Sequence, residues 1–285
     1  MERKIILSAD STCDLGDMLK EKYKVNYYPY HIILGEQQYT DGVDITPEDL
    51  YAAYRQKKIL PKTAAIGVGE YLAYFKKWVE QGYDVIHLNL GSALSAAYQN
   101  CCIAAKELGH VYPIDSSNLS TGTGLLVMEA GERISQGMSA QQIQEEVTQL
   151  VPYSHASFIL DTLEFMHAGG RCSMVTALGA NLLHLKPCIE VDNQRNGSMG
   201  VGKKYRGPLD KVLVQYTKDK LKNTPALKKN HIFITHSGIS QERIDLVKKT
   251  IQEISDFENI YVTRASCTIS CHCGPNTLGV LFMTE

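Results

Sequence analysis

The chain has 285 residues, 44% of them hydrophobic and 21% charged, with a formal net charge of −2. That is enough chain for one large or two modest globular domains. It excludes a nucleic-acid binder that works through bulk positive charge, and the short basic runs (Lys57-Lys58, Lys76-Lys77, Lys203-Lys204) read as solvated faces. No apolar run approaches the roughly 18–20 residues that span a bilayer. "MERKIILSAD" is too short in its apolar part for a signal peptide, so a cytoplasmic protein is expected, with its eight cysteines reduced.

In chain order, "KIILSAD" reads as a buried strand and "DLGDMLKEKY" as a helix. "VNYYPYHIIL" reads as one strand and "GEQQYTDG" as a turn or hairpin. "TPEDLYAAYRQKK" is a helix with Thr46 as N-cap and Pro47 in the first turn. "GEYLAYFKKWVEQG" is a helix, "DVIHLNL" a strand, "SAAYQNCCIAAKELG" a helix and "VYPID" a strand. Two helices follow, the second opened by a capping box of Ser139 and Gln142. Strands alternating with helices imply a parallel, Rossmann-like sheet covered on both faces over residues 1–150.

Residues 151–285 read differently. "HASFILD", "HIFITHS", "NIYVTRA" and "TLGVLFM" are strands, and residues 186–207 form a hairpin around a two-residue Asn196-Gly197 turn. "TLEFMHAGG" and "MVTALGANLL" are short helices, and longer ones fall at about 208–222 and 240–253. This half is expected to be an α/β domain with a mixed sheet, joined to the first near residue 150.

Ligands of open parallel sheets bind beyond the carboxyl ends of the strands. Three such ends carry hydroxyls and carboxylates: Asp10, Ser11 and Thr12; Ser92 and Ser95; Asp115, Ser116 and Ser117. Each leads into a helix, whose free N–H groups suit an anion. The same residue types are ordinary helix caps, and a carboxylate and a phosphate look alike at this level. "GSMGVGKK" (197–204) lacks the Ser/Thr of a P-loop and sits in a hairpin. In "LDTLEFMHAGGRCS" (160–173) two glycines fix the place of Arg171, a guanidinium suited to carboxylates or phosphates, or to capping the preceding helix.

"ISCHCGPNTLGVLF" (269–282) puts Cys271, His272 and Cys273 side by side. Zinc sites use ligand pairs spaced by two to four residues, and no second pair exists here. Read as an extended segment, the two cysteines share one side and His272 takes the other. Neither a metal site nor a Cys–His nucleophile is expected. His272 is left either pointing into a cleft or buried as a structural residue.

Seven segments together resemble the DegV family, which includes the fatty-acid-binding subunits of fatty acid kinase. They are "DSTCDL" (10–15), "YTDGVDI" (39–45), "SALSAAYQ" (92–99), "IDSSNLSTGTG" (114–124), "LDTLEFMHAGGRCS", "KYRG" (204–207) and "HCGPNTLGV" (272–280). The resemblance covers essentially the whole chain. It implies a two-domain α/β fold that buries a long-chain fatty acid such as palmitate in a tunnel, with the carboxylate at the domain junction. Residue by residue, it carries the carboxylate ligands onto Thr63 and Ser95, with His272 in the same polar network. It places Arg171 at a kinase-facing surface. It implies a non-catalytic lipid carrier, no cofactor, a kinase as partner and transient membrane contact. Where relatives read T-S-x-P and S-G-T-Y-Q, this chain has Thr63-Ala64-Ala65-Ile66 and Ser95-Ala96-Ala97-Tyr98-Gln99: both named hydroxyls stay and neighbouring ones are lost. Burying about 15 methylenes is worth roughly 12 kcal/mol gross, so the polar groups need only orient the head. The competing reading is a phosphotransferase or hydrolase that uses Asp10 or Asp115 on a small phosphorylated substrate.

Overall fold

Pro29 decides how the first third of the chain is divided. In the computed structural model, which describes residues 3–178 and 185–285, the expected single strand 25–34 is two strands in two sheets. β2 (Asn26–Tyr28) lies parallel to β1 (Ile5–Asp10). Proline cannot donate to a ladder, so the pairing stops there. The chain then turns into β3 (His31–Leu34), which pairs antiparallel with β4 (Gln37–Thr40) and β5 (Lys62–Ala64) in a separate three-stranded sheet. β5, which carries Thr63, is three residues long and has no readable alternation.

β1 and β2 continue with β6 (Asp84–Asn89) and β7 (Val111–Asp115) in a parallel sheet of order β2-β1-β6-β7. The helices around it are α1 (Gly16–Lys22), α2 (Pro47–Lys57), α3 (Val68–Val79), α4 (Ala97–Leu108), α5 (Ser120–Ser135) and α6 (Ala140–Leu150). Thr46 and Asp49 close a capping box on α2, and Ser139 and Gln142 close one on α6.

The six-stranded sheet is built from later residues. Its strands are β8 (Ser154–Ile159), β9 (Leu185–Asp192), β10 (Ser198–Arg206), β11 (Leu227–His236), β12 (Asn259–Arg264) and β13 (Leu278–Thr284), in the order β10-β9-β8-β13-β11-β12. β11 and β12 are parallel and the other neighbours antiparallel, so the sheet is mixed as expected. α9 (Leu209–Asn223) and α10 (Gln241–Ile254) pack on it, while α7 (Glu164–Gly169) and α8 (Ser173–Leu178) follow β8. The rest of the helix expected over 174–183 lies outside the described residues. The β9–β10 hairpin closes through five residues rather than two: a 3₁₀ turn, Asn193–Arg195, precedes Asn196 and Gly197, both at positive φ.

One further expectation is corrected. Residues 267–273 are not extended but form a helix, α11 (Cys267–Cys273), whose first turn is capped by the Ser266 side chain accepting from the Ile269 N–H. At about 100° per residue, the three neighbours diverge. Cys271 packs with Ile32, Tyr51 and Phe165, while Cys273 joins the cluster of Leu90, Leu94, Leu119 and Ile269. His272 is left facing the space between the sheets.

Two apolar clusters connect the sheets. α5 is buried along most of its length, and its Leu126 and Met128 belong to a core that runs from Leu7 and Ile114 to Phe233 and Leu281. A second core joins Tyr30, Tyr71 and Phe75 to Phe158, Leu160, Met166 and Ile189. The candidate site opens in this second core.

Candidate functional site

A cavity of about 200 Å³ lies where β5, the β6–α4 loop, α7 and α11 meet. Leu90, Leu94, Leu119, Met166, Met199 and Ile269 supply most of its wall. The polar lining is Tyr30, Thr63, Ser95, Thr268, His272 and Arg171. A smaller cavity shares Leu119, Ile269 and Cys273 with it and runs on between the sheets past Phe158 and Leu281. The larger cavity is therefore amphipathic, with a few polar side chains set in a mainly apolar wall.

Thr63, Ser95, His272 and Arg171, far apart in sequence, are brought to this one cavity. Thr63 Oγ1 lies 2.9 Å from His272 Nε2. The other ring nitrogen, Nδ1, is buried without a partner. A bare lone pair there costs less than an orphan N–H, so the proton belongs on Nε2, which donates it to Thr63. Burial and the neighbouring Arg171 charge push the imidazole down to about 4, so it is neutral at pH 7. With its oxygen already accepting, the Thr63 hydroxyl keeps its proton for the cavity.

Ser95 is arranged in the same way. Its Oγ accepts from the Tyr30 hydroxyl at 3.1 Å and from the Ala97 N–H at 3.2 Å. Both lone pairs are then occupied and the Ser95 proton is free to point inward. Two neutral O–H donors therefore face one space. Arg171 is exposed beside them, with its guanidinium donating to the Gly169 carbonyl at 2.8 Å and to that of Leu94 at 3.5 Å. The arrangement suits a single carboxylate: two preset donors and a cation.

The Gly169-Gly170 pair divides its work. Gly170 takes the left-handed conformation that ends α7. Gly169 gives room to His272: a Cβ at 169 would lie 3.1 Å from imidazole Cε1, 3.3 Å from Cγ and nearer still to Nδ1.

The other candidates sit elsewhere. Asp10 is fully buried one layer behind Tyr30, where it accepts from Tyr71 at 2.7 Å, Leu90 N–H at 2.9 Å and His87 at 3.0 Å. The Tyr30 oxygen lies 3.5 Å from Asp10, and its one proton goes to the nearer Ser95 at 3.1 Å. Ser11 donates to Asp41 at 2.9 Å and accepts from the Tyr30 N–H. Asp115 holds the backbone N–H groups of Ser92 and Ser117, and Ser116 pairs with Thr123 at 2.8 Å. None of Asp10, Ser11, Ser92, Asp115 or Ser116 lines the cavity. The strand-end hydroxyls and carboxylates, Ser95 apart, mostly knit loops together.

Sequence reasoning missed Tyr30, Thr268 and the specific need for glycine at 169. Only the adjacent glycines gave a signal. The cysteines beside His272 are packing residues. Burial pushes the thiols of Cys267 and Cys273 up to about 12, so they stay protonated at pH 7. Among the described residues no group of three or more His, Cys, Asp or Glu side chains is placed to hold a metal ion. No described helix is long and apolar enough to cross a membrane.

Comparison with known proteins gives the family and the fold. Residues 4–285 match the family model described as an uncharacterised protein of the DegV family. A DegV domain-containing protein of Clostridium perfringens is 28% identical over 284 residues, covering 99% of both chains. A Thermus thermophilus DegV family protein, described for its fatty acid binding, superimposes with a TM-score of 0.89. It is 25% identical, and the match covers 99% of this chain and 100% of that one. A stearic acid-binding protein from Eubacterium ventriosum shares the fold, with a TM-score of 0.84 at 24% identity and coverage of 99% and 98%. With a family model matched along almost its entire length, on a mixed α/β fold of one parallel and one mixed sheet, the chain belongs to the DegV family.

Proposed function

We propose that this chain binds a long-chain fatty acid, with the carboxylate among Thr63, Ser95 and Arg171 and the acyl chain along Leu94, Met166, Leu119 and Ile269. The observation that carries the reading is the pairing of two preset hydroxyl donors with a cavity whose wall is mainly apolar. His272 acts through Thr63. The head group then lies near the exposed Arg171, where a fatty acid kinase would reach it. The chain would serve as the non-catalytic presenting subunit, taking its ligand from a membrane by transient contact. That a DegV family protein and a second protein with this fold are described as fatty-acid-binding supports the ligand class. The bond pattern of Asp10 and Asp115, turned into loops and away from the cavity, weighs against a hydrolase or phosphotransferase built on them.

Native mass spectrometry of protein purified from bacterial cells tests the reading directly. A bound mass that lipid extraction identifies as a fatty acid is the expected result. Protein that is empty and shows neither binding nor a thermal shift with palmitate or oleate would overturn it. Phosphorylation of bound oleate by a fatty acid kinase, compared with free oleate, tests the presenting role.

A further inference from the structure

The geometry points to Asp41 as a positioning residue that sets the Thr63–His272 contact and through it the affinity for the ligand. Asp41 follows β4, in the small sheet that also carries Thr63 on β5. Its buried carboxylate reaches across to the first turn of α11, the helix that carries His272. Oδ1 accepts from the Cys267 N–H at 2.8 Å; Oδ2 accepts from the Thr268 N–H at 3.2 Å and from the Thr268 hydroxyl at 2.7 Å. Oδ2 also accepts from Ser11 at 2.9 Å, which ties the assembly to the end of β1.

Three parts of the fold are thus fastened by one side chain. The two that must meet at 2.9 Å for His272 to preset Thr63 are among them. The other polar restraints at this end of α11 come one at a time: Asp14 accepts from the Ser266 N–H at 2.9 Å, the Cys267 thiol donates to the Ile45 carbonyl at 3.3 Å, and Ser266 supplies the local cap. At the far end of the helix, His272 rests on Gly169. A shift of α11 by a fraction of an ångström would lengthen the contact, free the Thr63 oxygen and let its proton turn away from the cavity. Thr268, which lines the cavity, would move with it.

This inference rests on the fatty-acid reading for its affinity readout but not for its spectroscopic one. Asp41→Asn keeps the shape, and one oxygen still accepts. The amide N–H₂ now faces the Thr268 N–H, where an acceptor is needed. In ligand-free protein with labelled histidine, the His272 ring-nitrogen signals, assigned with His272→Gln, are expected to move towards those of Thr63→Val. Displacement of a fluorescent fatty acid by oleate should weaken about tenfold. In a double-mutant cycle, Thr63→Val should cost about tenfold in the wild-type background and under threefold in Asp41→Asn, because its partner is already misplaced. Unmoved His272 signals, or additive losses, would overturn the inference. If Asp41→Asn does not fold, Ser11→Ala cuts the tie to β1 while leaving the Asp41 bonds to α11, at the cost of the Ser11 contact with the Tyr30 N–H, and the His272 signals should again shift; unchanged signals would refute the role. If the wild type binds no fatty acid, the functional reading fails, while the nuclear magnetic resonance comparison still decides the role of Asp41.

Discussion

Gly169→Ala separates the steric account of the site from helix propensity. Gly169 closes α7 without a positive φ, so alanine there costs no backbone strain. By propensity alone the change should stabilise the helix by up to about 1 kcal/mol. The structure predicts the opposite. The new methyl would sit 3.1 Å from His272 Cε1 and closer still to Nδ1, whereas ordinary contact begins near 3.4 Å. The imidazole must move, and its Nε2 is held 2.9 Å from Thr63. Overpacking of this kind costs about 1–3 kcal/mol. Losing the bond inside the cavity costs about 1–3 kcal/mol of head-group stabilisation, or roughly 5- to 150-fold in Kd. Isothermal titration with oleate and thermal unfolding of the ligand-free protein read the two effects separately. A variant that melts higher and binds as tightly as the wild type would refute both the placement of His272 and its role.

Removing the Thr63 hydroxyl as Thr63→Val should weaken fatty-acid binding by about 1–2 kcal/mol and leave circular dichroism unchanged. Arg171→Ala should flatten the salt dependence of binding and raise the His272 pKa, because Arg171 is one of the two causes that hold it down; titration of the histidine resonances reads this. Acid stability should respond to His272 with a defined sign. Its pKa falls from 6.5 unfolded to about 4 folded, so its stabilising contribution is present above pH 6.5 and is lost as pH drops through 4. His272→Gln should therefore flatten denaturant midpoints between pH 6.5 and 4. Asp14 works the other way: burial raises it from 3.8 to about 7, so its contribution is present below pH 4 and is lost as pH rises through 7. Asp14→Asn should remove that part of the slope. Cys273→Leu, at a residue that lines both cavities, should weaken binding of long acyl chains more than that of short ones in competition assays.

The longer elements were legible because their periodicity and punctuation agree. Thr46-Pro47, Ser139 with Gln142, and Gly109 mark helix ends that the structure keeps. The misses share a physical cause. β5 and α11 are three and seven residues long, and both are held by tertiary contacts rather than by local preference. α11 is buried on nearly every side, so no polar face announces it. The single strand expected over 25–34 is divided at Pro29, whose missing N–H ends the β2 pairing. Of the residues that meet at the cavity, Thr63 was named only through the family resemblance, while Ser95, Arg171 and His272 also stood out by residue type and position, without anything local to say that they meet. Tyr30, Thr268 and Asp41 act through partners distant in sequence, and such pairings leave no local pattern.

The hydroxyl-rich strand ends suggested an anion without saying which. Proton bookkeeping narrows the choice. Ser11 gives its proton to Asp41, Ser120 gives its own to Asp14, and Ser116 and Thr123 share one between them. Thr121, Thr235 and Thr263 form a chain among themselves. Among the described residues, only Thr63 and Ser95 have oxygens already satisfied and protons left over at the cavity. Two donors and one guanidinium match the two oxygens of a carboxylate. A phosphate monoester brings three strong acceptor oxygens and up to two charges. Against walls of Leu90, Leu94, Met166 and Ile269 its third oxygen would lie desolvated and unpaired, at a cost of about 1–3 kcal/mol or more. A hydroxyl-rich protein can therefore discriminate against phosphate because most of its hydroxyls are already engaged.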